Sequence, residues 1–185
     1  MIAVVALAFQ ACKSGSGSSS TTDSTTTTKD STTKTTVSTT PVDKGDSTFV
    51  VTAANDGMTE VTIGKIAQQN AVSTRVKNFA AMMVTDHTKA GDELAAIAKT
   101  KNIAVPAAPN ADSQKMIDDM TKMKGKDFDK DYVNGMVKGH ENAVKLFTDA
   151  STSLKDSTLR AFAVKTLPTL KMHLDSIKAI KASMK

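Results

Sequence analysis

Tryptophan is absent from this 185-residue chain, tyrosine and cysteine occur once each, and proline occurs only four times. A lone cysteine excludes an intramolecular disulfide. The apolar residues are Ala, Val, Leu, Ile and ten Met rather than aromatics, which is the chemistry of helices more than of strands. Gly15 and Gly17 lie in a Ser/Thr tract and the other glycines are scattered, so there is no phosphate-cradling loop. No serine or cysteine stands in a nucleophile context, which leaves hydrolase and kinase readings without support. The formal charge of +5 suggests attraction to polyanions. The aromatics read as core, however, and do not interleave with the basic residues, which argues against nucleic acid as a partner.

The N-terminal part is organised for attachment. Met1 to Phe9 is an apolar run, followed by Gln10, Ala11 and Cys12. The run is too short to span a bilayer. A small residue directly before a lone cysteine, after such a run, resembles a bacterial lipoprotein signal, in which the cysteine is acylated and becomes the mature N-terminus. Residues 1–12 are expected to be that signal, with Cys12 as the lipidation site and the membrane as a partner through it. No Lys or Arg precedes the run, so a basic segment is expected upstream of Met1. Residues 13–46 are dominated by Ser and Thr and have too little apolar surface to offset backbone entropy, so they are expected to form a solvated tether. The folded domain is expected over 47–185, long enough to bury a core without staples.

Apolar residues in that domain recur in steps of three and four, placing each set on one helical face. The sets are Phe49, Ala53, Gly57, Glu60, Ile63, Ala67; Val76, Phe79, Met83, His87, Ala90, Leu94; Tyr132, Met136, His140, Ala143, Phe147; and Leu159, Phe162, Thr166, Leu170, His173, Ile177. The first helix is expected from Ser47 to Asn70 and the second from Ser73 to Lys101. A short amphipathic helix, capped by Asp112 or Ser113, then carries Met116, Ile117, Met120 and Met123. The third long helix is expected from Asp127 to Ala150. The fourth starts at Asp156 or Ser157 and has Pro168 inside, where a bend is expected. His87 and His140 lie at equal depth only if the second and third long helices run parallel, which needs a long connection. The fold class is therefore all-α, a ferritin-like four-helix bundle whose crossover contains the short extra helix. Two internal echoes suggest a duplicated plan: Phe79 to Ala90 against Tyr132 to Ala143, and Val76 to Ala80 against Leu159 to Ala163.

The stripes point three imidazoles and one carboxylate inward, and a buried carboxylate must be hydrogen-bonded, protonated or metal-bound. Glu60, His87, His140 and His173 form a candidate mixed N/O site for Zn, Fe, Mn or Cu. His173 lies deeper in its helix than a level match requires, so either the Pro168 bend compensates or it stands outside the site. Asp86 and Glu141, each beside a histidine, and Asp56, one turn before Glu60, are candidates to accept imidazole N–H groups. Val84 and Val137 stand three residues before His87 and His140, where a di-iron bundle would need glutamates. Met83 and Met136, four before each histidine, suit Cu(I) but read more simply as packing.

The motif Phe49-Val-x2-Ala-Ala-x2-Gly57-Met58-x-Glu60-Val61 resembles the opening of the domain of unknown function 4142 family, often labelled predicted outer membrane protein. The segments around Asp86-His87, His140-Glu141 and Leu167-Pro168-x-Leu170-x2-His173 resemble it in the same order. The resemblance implies a ferritin-like bundle in the Gram-negative envelope, and no established activity. The function expected is a lipid-anchored envelope protein, on the outer membrane and facing the periplasm or the cell surface, that is metal-binding or linked to redox stress. No catalytic residue is assigned. The alternative is a structural or interaction module whose polar core residues only fix helix packing. Lys-rich faces binding lipid form a third option.

Overall fold

The computed structural model describes residues 41–184, which form five helices: α1 (Lys44–Asn70), α2 (Thr74–Thr100), α3 (Ala111–Lys122), α4 (Gly125–Ser153) and α5 (Ser157–Ala182). The expected signal, Cys12 and most of the tether lie outside the described residues. None of the described helices is long and apolar enough to cross a membrane.

Local chemistry places the helix ends. Asp43 caps α1 by accepting from the Gly45 and Asp46 amides at 2.8 and 3.3 Å, so the helix starts three residues earlier than the expected Ser47. Asp43, Lys44 and Asp46, counted with the tether from composition, therefore belong to the bundle. Asn110, rather than Asp112 or Ser113, caps α3 by accepting from Ser113 N–H. Asp156 caps α5 through the Thr158 and Leu159 amides. At the end of α2, Asn102 takes a left-handed φ of 55°. The Ile103 amide then returns to the Ala98 carbonyl and the Asn102 amide to Lys99, which closes the helix around buried Ile103. Pro168 lies within α5, which continues through it to Ala182.

The long helices make two antiparallel hairpins, α1/α2 and α4/α5, with α1 also facing α4 and α2 facing α5. The short helix α3 runs along α1. Near its start, Asn55 Nδ2 donates to Ser113 Oγ and Asn55 Oδ1 accepts from the Asn110 amide. At its end, Asn70 Nδ2 donates to the Met123 carbonyl. This crossover returns the chain to the top of the bundle, so α2 and α4 run parallel, as the depths of His87 and His140 require. The all-α, ferritin-like expectation holds.

Two buried aspartates tie the hairpins together. Asp46 in α1 accepts from the Lys155 and Asp156 amides in the α4/α5 turn, at 2.9 and 3.0 Å. Asp129 in α4 accepts from the Val72 and Ser73 amides in the α1/α2 turn, at 3.1 and 2.9 Å. The shift in residue number that takes Asp46 to Asp129 also takes Val72 and Ser73 to Lys155 and Asp156, with the same oxygen serving the same amide. It takes Phe49-Val50 to Tyr132-Val133 and Phe79-Ala80 to Phe162-Ala163 as well. This is the shift of the Val76/Leu159 echo, and it relates one hairpin to the other. The Phe79/Tyr132 echo has a different shift and reflects ordinary helix patterning.

The core has two halves. Phe79, Tyr132, Phe128, Met83 and Ile177 gather at one end, and Phe49, Phe147, Phe162, Leu94 and Leu159 at the other. The polar residues of the stripes lie between them.

Each aspartate anchor satisfies two backbone donors, so Asp46→Ala and Asp129→Ala should each lower unfolding free energy by about 2 kcal/mol. They sit at opposite ends of helices about 40 Å long, so their effects should add in the double variant. Urea unfolding checks this; a loss below about 0.5 kcal/mol in either single variant would show that the anchors do not hold the turns.

Candidate functional site

His87 on α2, His140 on α4 and His173 on α5 meet in the middle of the bundle, with ring centroids 5.4–5.6 Å apart. His140 and His173 are fully buried and His87 nearly so. One ring nitrogen from each lies within 4.8 Å of the other two. Phe79 packs edge-on against His140 and His173 and closes one side of the group.

Each imidazole has one nitrogen tied to an acceptor. His87 Nδ1 lies 3.0 Å from Glu60 Oε2. His140 Nδ1 lies 3.0 Å from the Met136 carbonyl and 3.4 Å from Glu60 Oε1. His173 Nε2 lies 2.9 Å from Asp86 Oδ2. The Met136 carbonyl and the Asp86 carboxylate accept, so His140 Nδ1 and His173 Nε2 carry the protons, and His87 Nδ1 does so when Glu60 is ionised. The remaining nitrogens, His87 Nε2, His140 Nε2 and His173 Nδ1, are then bare acceptors. They are buried and have no hydrogen-bond partner among the described residues. Buried polar atoms are rarely left this way, and acceptors gathered without a donor are unfavourable unless a cation or proton serves them.

The surroundings oppose charge. Burial, reinforced by the charge of Asp56, pushes the Glu60 carboxyl up to about 8. Burial, with the other two imidazoles adding to it, pushes His87 down to about 3. Burial takes His140 down to about 4, against the pull of the Met136 carbonyl. Tyr132, buried below the cluster with its hydroxyl unpaired, is also pushed up, by burial and then by Glu60.

The structure brings Glu60, His87, His140 and His173 together, and the extra depth of His173 does not exclude it. Glu60 and His173 each stand roughly three turns from the end of a helix rising to the same end of the bundle. Both oxygens of Glu60 face imidazole nitrogens, Oε2 that of His87 and Oε1 that of His140. Asp86 does hold an imidazole, but that of His173 across the helix interface rather than its neighbour His87. Glu141 does not join the site. It lies on the outer side of α4 and pairs with Lys178 Nζ at 2.8 Å. Asp56 touches no histidine; Asn55 Nδ2 donates to it at 3.1 Å, and it acts on Glu60 only through its charge.

Sequence reasoning missed two features. The Met136 carbonyl, a backbone group, carries no residue signal. A cavity of about 430 Å³ beside the cluster is bounded by small residues, among them Gly57, Ala90 and Ala143, with Phe147 and Phe162 in its apolar wall. Small residues on three stripes at one level were its only trace in the sequence.

Comparison with known proteins supplies the family. Residues 31–180 match the family model described as domain of unknown function (DUF4142). The chain belongs to the DUF4142 family. Its bundle is similar to two crystal structures from outside that family. A DUF305 protein of Streptomyces coelicolor, whose description infers secretion, has a TM-score of 0.63 at 11% identity, over 76% of this chain and 93% of that chain. A DUF305 fragment of Deinococcus radiodurans has a TM-score of 0.66 at 9% identity, over 76% and 97%. At such identity the likeness establishes a shared four-helix-bundle fold of ferritin-like type and no chemistry. Among curated proteins there is no match.

The shifted groups make the stability of this DUF4142 bundle depend on pH when no metal is present. The folded state keeps the Glu60 proton that the unfolded chain loses, so stability falls as pH rises from 4.5 towards about 8. Unfolding lets His87 and His140 bind protons that the fold excludes, so stability also falls as pH drops below 6.5. Two imidazoles outweigh one carboxyl between those limits, and Tm of the chelator-treated protein should peak near pH 6.5. Glu60→Gln should flatten the alkaline limb; an unchanged loss between pH 6.5 and 8 in that variant would contradict the assignment.

Proposed function

We propose that this bundle binds one divalent first-row metal ion through His87 Nε2, His140 Nε2 and His173 Nδ1, as a metal-handling protein of the bacterial envelope. The observation that carries the reading is the orphaned nitrogen on each of three clustered imidazoles whose other nitrogen is anchored. Anchoring of this kind is how proteins fix the tautomer and aim of a metal-bound histidine. Glu60 supports the reading independently. Two ring nitrogens facing its two oxygens suit a carboxylate, whereas burial alone favours the neutral acid. A cation held by the free nitrogens removes that conflict.

Three neutral imidazoles suit Zn, Cu or Fe, and with Glu60 occupied as an acceptor they suit Mn less well. Iron or copper would make the centre redox-active and fit a role in oxidative stress; zinc would fit storage or buffering. The envelope placement rests on the apolar run before Cys12, read as a lipid attachment site on the outer membrane, and on the secretion inferred for the Streptomyces DUF305 protein.

A structural role has its own support, since Glu60 links α1 to α2 and α4, and Asp86 links α2 to α5. It leaves the three orphaned nitrogens without a purpose.

Elemental analysis of the chain, purified without a histidine tag and offered each ion in turn, should find about one equivalent of one metal. A concentration one hundred times Kd should add about 2.7 kcal/mol of stability. Both effects should vanish in His140→Phe. Less than a tenth of an equivalent for every ion would favour the structural role.

A further inference from the structure

The duplicated plan of the two hairpins is broken at one level. The shift that equates Asp46 with Asp129 equates Gly57 with His140, Ala90 with His173, and Ala143 with Glu60. The fourth polar cluster residue, His87, is equated with Leu170, and the other three thus have a counterpart with little or no side chain. The cavity of about 430 Å³ lies there, bounded by all three small residues. A Cβ built on Gly57 meets nothing within 4 Å. The volume falls within the range of about 300–1,000 Å³ that holds small organic ligands.

The wall has a definite chemistry. Its apolar part comes from Ala53, Leu94, Leu146, Phe147 and Phe162. Its carboxyl groups are those of Asp56, Glu60, Asp86 and Asp92, and among the described residues no Lys or Arg lines it, in a chain whose net charge is +5. His87 and His173 also face the cavity, and each carries a buried ring nitrogen without a partner. Apart from threonine hydroxyls, the polar side chains of the wall present acceptors, and no cationic side chain supplies a donor. An anionic ligand would meet carboxylates with no cationic side chain to offset them, and a neutral hydrocarbon would leave the acceptors unserved.

We infer that this cavity binds a small amphiphilic amine, its hydrocarbon body against the Phe147 and Phe162 wall and its ammonium group at the carboxylates of Asp56 and Asp92. Selection comes from apolar burial for the body and from charge for the head. The inference does not depend on a metal in the neighbouring cluster, because Asp56 and Asp92 make no hydrogen bond to the imidazoles.

The test is calorimetric titration of the full chain, after chelator treatment, with decylamine, decanol and decanoate below their aggregation thresholds. Decylamine should bind at one per chain, at least tenfold more tightly than the alcohol, and decanoate should not bind measurably. Gly57→Leu, which projects a side chain into open space, should abolish binding while keeping helicity and a cooperative melt. Ala90→Leu serves if that variant fails to fold. Asp56→Asn with Asp92→Asn should narrow the preference for amine over alcohol. No saturable amine binding, equal binding of decanoate, or unchanged binding in a folded cavity-filling variant would overturn the inference. Metal uptake by the same preparation, measured after each ion is offered back to chelator-treated protein, separates its failure from failure of the metal site.

Discussion

Glu60 is the constraint on which the middle of the bundle depends. A carboxylate in a helical core stays ionised only if donors or a cation are brought to it. Its two oxygens face one imidazole from α2 and one from α4. That arrangement sets the register of three helices at once and turns the free edges of His87 and His140 away from the carboxylate. Asp86 does the same for His173 from the flank of α2. The result is a core whose polar atoms are satisfied on one side of each ring and unsatisfied on the other. The proposed cation would complete it; without one, the group is held neutral by burial.

The ends of the bundle are secured differently, and this leaves the middle free to diverge. Asp46 and Asp129 cap opposite turns through equivalent amides, so each hairpin is clamped by the first turns of the other. With the frame held at both ends, equivalent positions near the centre need not keep equivalent residues. One set became Glu60, His140 and His173, and its counterpart Ala143, Gly57 and Ala90. The same duplication thus accounts for a polar cluster and an adjoining cavity, two features that would otherwise look unrelated.

The helices, their parallel and antiparallel relations and the membership of the cluster were legible because hydrophobic period reports a face, and equal depth of His87 and His140 reports direction. What the period cannot report is which atom of a side chain meets which neighbour. A carboxylate that binds a metal and one that orients imidazoles share the same inward spacing, so periodicity does not separate the two roles for Glu60. Asp86 and Glu141 looked alike, each next to a histidine. One step off the stripe carries Asp86 towards α5 and His173, whereas the step after His140 carries Glu141 to solvent and Lys178. The start of α1 was hidden because Asp43 and Asp46, a cap and an anchor, have the composition of the Ser/Thr-rich sequence before them. The cavity was hidden because Gly57, Ala90 and Ala143 are ordinary members of apolar stripes until their levels are compared.

The most direct test of the account is a crystal structure of the metal-loaded protein with anomalous scattering collected at the metal edge. The account predicts one strong site at the centre of the bundle, bonded at about 2.0–2.1 Å for zinc by His87 Nε2, His140 Nε2 and His173 Nδ1. Glu60 and Asp86 should still accept from the opposite nitrogens. A metal bonded to Glu60, a site that leaves out any of the three histidines, or no central peak would contradict it.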